Sequence, residues 1–234
     1  MVLTRNTIRW VLKPLVFLAS LGPVVYLAWG AFTGNLGANP ISEITFGTGD
    51  WTLRFLAISL AVTPLRKLSG WNDLIRFRRM LGLFAFFYGT LHFVTYLSLD
   101  RFLDVIAVRQ PDQGSLIGAF LRSIVQDVWM RPFITVGFAA FLAMLPLALT
   151  STAGWIRRLG GRNWQRLHRL VYVAAVCGVV HFWWLVKADV REPLIYAVIF
   201  GVLLTFRIAV AFSRRPARRA PSSAAGTDLA QRPS

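Results

Sequence analysis

Four stretches of this chain, residues 14–42, 80–99, 132–156 and 170–186, contain no charged side chain. Each is long enough, or nearly so, for the roughly 20 residues a helix needs to cross the hydrocarbon of a bilayer. Two further runs, 51–65 and 193–212, hold one arginine each. Arg54 and Arg207 lie near the ends of those runs, where a long side chain can snorkel to the headgroups. The pattern predicts an all-α polytopic membrane protein with helices over 14–32, 51–66, 80–98, 132–150, 169–187 and 193–212. No run shows the alternating signature of an outer-membrane barrel strand. Gly22, Pro23 and Pro64 are tolerable in such helices and are expected to bend them.

Charge sets the orientation. The net charge is +16, from 26 Lys and Arg against 10 Asp and Glu, yet only 15% of residues are charged and 56% are hydrophobic. A basic chain that binds nucleic acid gathers its bases among other polar residues; here they sit in clusters between apolar runs. With both termini in the cytoplasm, Arg5, Arg9, Lys13, the 66–79 segment, the 157–169 segment, Arg207 and the tail place 19 of the 26 basic residues inside. Eight of the ten acids then fall outside. That asymmetry predicts an N-in, C-in six-helix bundle. The first apolar run is too long for a cleaved signal peptide and is expected to stay as a signal anchor.

The chain divides into a cytoplasmic N-terminus (1–13), a transmembrane domain (14–212) and a tail (213–234) rich in Arg, Pro, Ala and Ser. The tail is expected to be disordered. The longest outer loop, 99–131, contains the turn signal Pro111-Asp112-Gln113-Gly114. After it, Ser115 is a candidate cap for a helix over 115–128, with Leu116, Ile117, Phe120, Leu121, Ile124 and Val128 at helical spacing. An interfacial helix is the expectation, and a docking surface for an outer partner the alternative. No glycine-rich fingerprint or βαβ unit is present, so no nicotinamide or flavin domain is expected. The lone Cys177 excludes an internal disulfide.

Chemistry falls to three histidines. His92 and His181 each lie about 12 residues, or roughly 18 Å, along helices of the same direction. Two imidazoles thus meet at one depth in the outer half of the bilayer, as axial ligation of one haem iron requires. No carboxylate or thiol at that depth would complete a zinc site. Helix–helix hydrogen bonding and proton relay remain alternatives for an intramembrane histidine. His168 lies 13 residues before His181, on nearly the opposite face, so the two cannot share a haem. It is a candidate for a second haem, a flavin or a quinone at the inner side. The positions where a partner histidine would stand on the His92 helix are Arg78 and Arg79.

Several segments carry a resemblance: Thr63-Pro64-Leu65-Arg66, Arg78-Arg79-Met80-Leu81-Gly82-Leu83 and Leu91-His92. The strongest are Arg131-Pro132-Phe133-Ile134-Thr135-Val136-Gly137, Leu149-Thr150-Ser151 and Trp164-Gln165-Arg166-Leu167-His168-Arg169-Leu170-Val171-Tyr172, followed by His181. From about Leu15 to Phe212 the chain resembles the MsrQ (YedZ) family, haem-binding membrane subunits of the bacterial methionine-sulfoxide reductase system, in the ferric-reductase-like superfamily. The resemblance implies a bundle of ferric-reductase-like type in the bacterial inner membrane, with haem b, one or two, and FMN as a further cofactor. It places the family's haem-associated histidines on His92, His168 and His181. It implies electron transfer to a periplasmic molybdopterin methionine-sulfoxide reductase, with a cytoplasmic flavin reductase or membrane quinone as donor. No catalytic residue is assigned. A self-sufficient ferric or quinone-linked reductase and a histidine-relay transporter are the competing readings.

Overall fold

The computed structural model describes residues 4–108, 115–186 and 188–213. The turn expected at 111–114 and nearly all of the tail lie outside the described residues. A helical lead-in from Arg5, with a π turn over Ile8–Leu12, enters α1 (Lys13–Thr33), which Gly34 ends in the left-handed conformation. Then follow α2 (Pro40–Ser69), α3 (Ile75–Thr95), α4 (Leu116–Met130), α5 (Pro132–Leu149), α6 (Ala153–Leu159), α7 (Gly161–Leu167), α8 (Leu170–Leu185) and α9 (Arg191–Ser213). Beyond Thr95, α3 runs on through a π turn, Tyr96–Arg101, into Phe102–Val108.

Among the described residues, five helical segments are long and apolar enough to cross a membrane: Ile8–Thr33, Asn72–Val108, Pro132–Leu149, Gly161–Leu185 and Arg191–Ser213. The protein is a multi-pass membrane protein. The helix expected over 51–66 is present but begins at Pro40. Asn39 accepts a hydrogen bond from the Ser42 N–H at 3.1 Å and proline occupies the first helical position, both strong start signals. This helix is not among the five; Asp50 and Arg54 on one side and Arg66 and Lys67 on the other bracket its apolar stretch. One face of it is covered by its neighbours, with Leu53, Phe55, Leu56, Leu60 and Val62 all buried, while Phe46, Ile58 and Leu65 are exposed.

The two arginines expected to snorkel both find partners on a neighbouring helix, although the Arg54 side chain stays 47% exposed. Arg54 pairs with Asp50 at 2.6 Å, and the Tyr196 hydroxyl of α9 donates to the same carboxylate. Arg207 donates to the Leu60 carbonyl at 2.9 Å and to the hydroxyls of Thr63 at 3.3 Å and Tyr172 at 3.2 Å. Proline explains the first of these acceptors. Pro64 has no N–H, so the Leu60 carbonyl four residues earlier lacks its helical donor. In hydrocarbon an unmet carbonyl is expensive, and the guanidinium fills it.

A second repair occurs in α1, next to Pro23. The Tyr88 hydroxyl of α3 donates to the Ser20 carbonyl at 2.8 Å and accepts from the Val24 N–H at 3.2 Å. It thus stands inside the hydrogen-bond ladder beside the proline, an insertion of the kind that kinks helices. Tyr88 is fully buried and stacks on Phe55 of α2.

Ser115 caps α4, accepting from the Gly118 N–H at 3.1 Å. The apolar positions of this helix divide between two faces. Phe120 packs edge-on against Phe102, while Ile117, Leu121, Val125 and Trp129 are exposed. Asp127, buried at the end of α4, accepts from the Tyr96 hydroxyl at 2.7 Å and pairs with Arg101 at 3.0 Å and Arg131 at 3.3 Å. This carboxylate ties α4 to the C-terminal extension of α3.

Candidate functional site

The most extensive contacts in the bundle are those of α2 with α3 and of α5 with α8. Each of these pairs presents one histidine, and the two rings face each other. The His92 and His181 ring centroids are 6.1 Å apart, with their planes at 77°. The two histidines singled out by their positions along two helices are thus neighbours in space.

Both rings are held the same way. His92 Nδ1 lies 2.8 Å from the Thr45 carbonyl of α2, and His181 Nδ1 lies 2.6 Å from the Phe133 carbonyl of α5. A carbonyl only accepts, so Nδ1 carries the proton in each ring and Nε2 keeps its lone pair. A backbone acceptor on one nitrogen and a free lone pair on the other is the usual preparation of a metal-ligating histidine. With a metal–imidazole bond of about 2.0 Å and about 1.1 Å from nitrogen to ring centre, two rings on one metal stand roughly 6.2 Å apart. The observed spacing fits a shared ion. Among the described residues no group of three or more His, Cys, Asp and Glu is placed to hold a metal. Two imidazoles alone suit an iron whose remaining donors belong to a macrocycle. Aromatic rings wall the neighbourhood: Phe93 of α3 stacks on Phe141 of α5 at 4.9 Å, and Phe133 lies 6.2 Å from the His181 ring.

His168 stands apart, at the break between α7 and α8. Thirteen residues of helix, roughly 20 Å, separate it from His181. Its ring stacks on Trp164 at 3.8 Å and its Nδ1 lies 3.1 Å from the Trp164 carbonyl. Arg78 and Arg79 of α3 are close enough to act on it electrostatically. No second histidine meets it, as the sequence requires.

The comparisons with known proteins follow the same lines. The family described as "Ferric reductase like transmembrane component" matches residues 48–179, which run from α2 into α8 and include His92 and His168; His181 lies two residues beyond. A protein of Herminiimonas arsenicoxydans, named "Protein-methionine-sulfoxide reductase heme-binding subunit MsrQ", is 51% identical over 206 residues, covering 87% of each chain. The chain belongs to the MsrQ family. Relatives of the same name in Azospira oryzae and Rhodospirillum rubrum are 52% and 50% identical; they align with 84% and 88% of this chain and with 78% and 92% of their own lengths. The MsrQ name marks those proteins as haem-binding subunits of a methionine-sulfoxide reductase.

What the sequence reading missed at the site is backbone. The Thr45 and Phe133 carbonyls hold the rings, and no side-chain pattern announces a carbonyl. The one available signal is indirect: an intramembrane imidazole must find an acceptor somewhere on a neighbouring helix.

Proposed function

We propose that this chain is the electron-transfer subunit of a bacterial methionine-sulfoxide reductase system. It binds haem b between His92 and His181 and delivers electrons across the inner membrane to a periplasmic molybdopterin partner that repairs oxidised methionine. The observation that carries the proposal is the facing pair of imidazoles, each with Nδ1 tied to a carbonyl and Nε2 left to donate. Haem, when bound, supplies the one-electron couple. The chain supplies position and surroundings. The carbonyls of Thr45 and Phe133 fix the tautomers. His168, beside Trp164 and the basic end of α3, lines an inner position for a second haem or FMN. Electrons arrive there from a cytoplasmic flavin reductase or a membrane quinone. The bundle has six spans, α2 included, with both termini in the cytoplasm.

The test is the spectrum of the purified protein and three variants, with haem counted by pyridine haemochrome. His92→Ala and His181→Ala each remove the same low-spin haem, because either change leaves the iron one axial ligand. His168→Ala keeps that spectrum. A colourless wild type, or haem that survives both outer substitutions, overturns the proposal. Orientation is tested separately. A reporter active only outside works when fused within 34–39 and fails within 70–74; the opposite pattern reverses the topology.

A further inference from the structure

The two carbonyls that hold the histidines share a feature. Each lies four residues before a glycine: Thr45 before Gly49 on α2, and Phe133 before Gly137 on α5. In a helix the carbonyl of residue i points at the N–H of residue i+4, so the side chain at i+4 flanks its approach. A ring on a neighbouring helix reaches that carbonyl only if nothing projects there. A Cβ on Gly137 would lie 2.5 Å from His181 Nδ1 and 2.8 Å from its Cε1. On Gly49 it would lie 3.1 Å from His92 Nδ1 and 3.2 Å from Cε1. The first is a clash with three ring atoms, since Cγ is also only 3.0 Å away; the second is a tight contact. Neither glycine adopts a positive φ, and glycine weakens a helix interior, so space and not backbone freedom accounts for both.

We propose that Gly137 and Gly49 are positioning residues, which open the Phe133 and Thr45 carbonyls to the Nδ1–H of His181 and His92 and so set the ring orientation and donor strength of both axial ligands. The inference rests on the haem reading above. The hydrogen bond from Nδ1–H makes Nε2 a stronger donor, which favours ferric over ferrous iron. Losing it raises the midpoint potential. The two positions are graded: Gly137→Ala must displace its ring, whereas Gly49→Ala asks only a small adjustment.

The experiment uses the full-length protein purified with its haem, comparing wild type, Gly137→Ala, Gly49→Ala and Gly82→Ala. Gly82 lies on α3, and a Cβ there meets nothing within 4 Å. Haem affinity, midpoint potential and the low-spin ferric electron paramagnetic resonance spectrum are measured. Gly137→Ala lowers haem affinity about 10-fold or more, raises the potential of the haem it keeps and shifts its resonance. Gly49→Ala shifts potential and resonance the same way by less, and Gly82→Ala leaves both unchanged. A Gly137→Ala protein with wild-type potential and resonance overturns the proposal, as does a Gly82→Ala shift of equal size. Should Gly137→Ala fail to accumulate, Gly49→Ala decides, and wild-type values there overturn it. Persistence of the same low-spin haem in His92→Ala or His181→Ala overturns the ligand assignment itself, a different failure from a silent glycine substitution.

Discussion

Tyr88 and His92 stand one turn apart on α3, and each reaches a backbone carbonyl on a different neighbour: Tyr88 that of Ser20 on α1, His92 that of Thr45 on α2. One face of one helix thereby fixes two others. The site's position and the repair beside Pro23 are linked through α3.

Tyr88→Phe tests the repair. It leaves the Ser20 carbonyl and the Val24 N–H without their bridging hydroxyl in a fully buried place. The expected loss is about 1–2 kcal/mol, or an apparent Tm lower by about 2–8 °C for a chain of this size. Thermal scans in one detergent at one rate measure it. An unchanged midpoint would show that the helix closes its own bond once the hydroxyl is gone.

Arg207 and Pro64 form a second testable pair. Arg207→Gln withdraws the donor that meets the proline-freed Leu60 carbonyl and should destabilise by about 1–3 kcal/mol. In a Pro64→Ala background the helix supplies that donor itself, so the same substitution should cost less. A double-mutant cycle reads the coupling directly. Purely additive effects would mean that the guanidinium serves Thr63 and Tyr172 and not the carbonyl.

Asp127→Asn loosens α4 from α3. Arg101, with a side chain only 14% exposed, loses one of two carboxylates, and Tyr96 loses a charged acceptor. About 3 kcal/mol of local stability is at stake. Hydrogen exchange over Leu116–Met130 should quicken while the visible spectrum of the haem protein stays as it was. Equal exchange in variant and wild type would assign the anchoring of α4 to Phe120 and its apolar neighbours.

The purified chain should neither oxidise NADH nor reduce methionine sulfoxide alone. Once chemically reduced, it should stay reduced until the molybdopterin partner and a sulfoxide are added. Stopped-flow absorbance follows the reoxidation. Rapid reoxidation by ferric chelates or quinones, with indifference to the partner, would favour a self-sufficient reductase.

Much of this was legible in the residues. The uncharged runs located α1, α3, α5 and α8 closely, and a run broken only by Arg207 located α9, because lipid admits few charges and long helices are the simplest way to satisfy a backbone there. The closeness of His92 and His181 was suggested by counting residues along two helices. The start of α2 did not, because a search for apolar length passes over a helix whose polar turn is covered by other helices. Asn39 and Pro40 announced it all the same. The partners of Arg54 and Arg207 were hidden too, since snorkelling and internal pairing leave the same trace in sequence. The glycines below the histidines looked like any others in an apolar helix.

The separation between carbonyl and ring is 47 residues in the first helix pair and 48 in the second. Each hairpin therefore carries its own oriented imidazole and needs nothing from the other to hold it. During synthesis the first hairpin is finished well before the second leaves the ribosome, and it must wait as half of a clasp. If the two rings share one iron, capture of the cofactor is the event that closes the clasp. Cofactor supply then acts as a quality checkpoint on membrane assembly: chains starved of haem would keep the links of Asp50 and Leu60 to α9 and the Phe93–Phe141 stack, but nothing would join the two imidazoles.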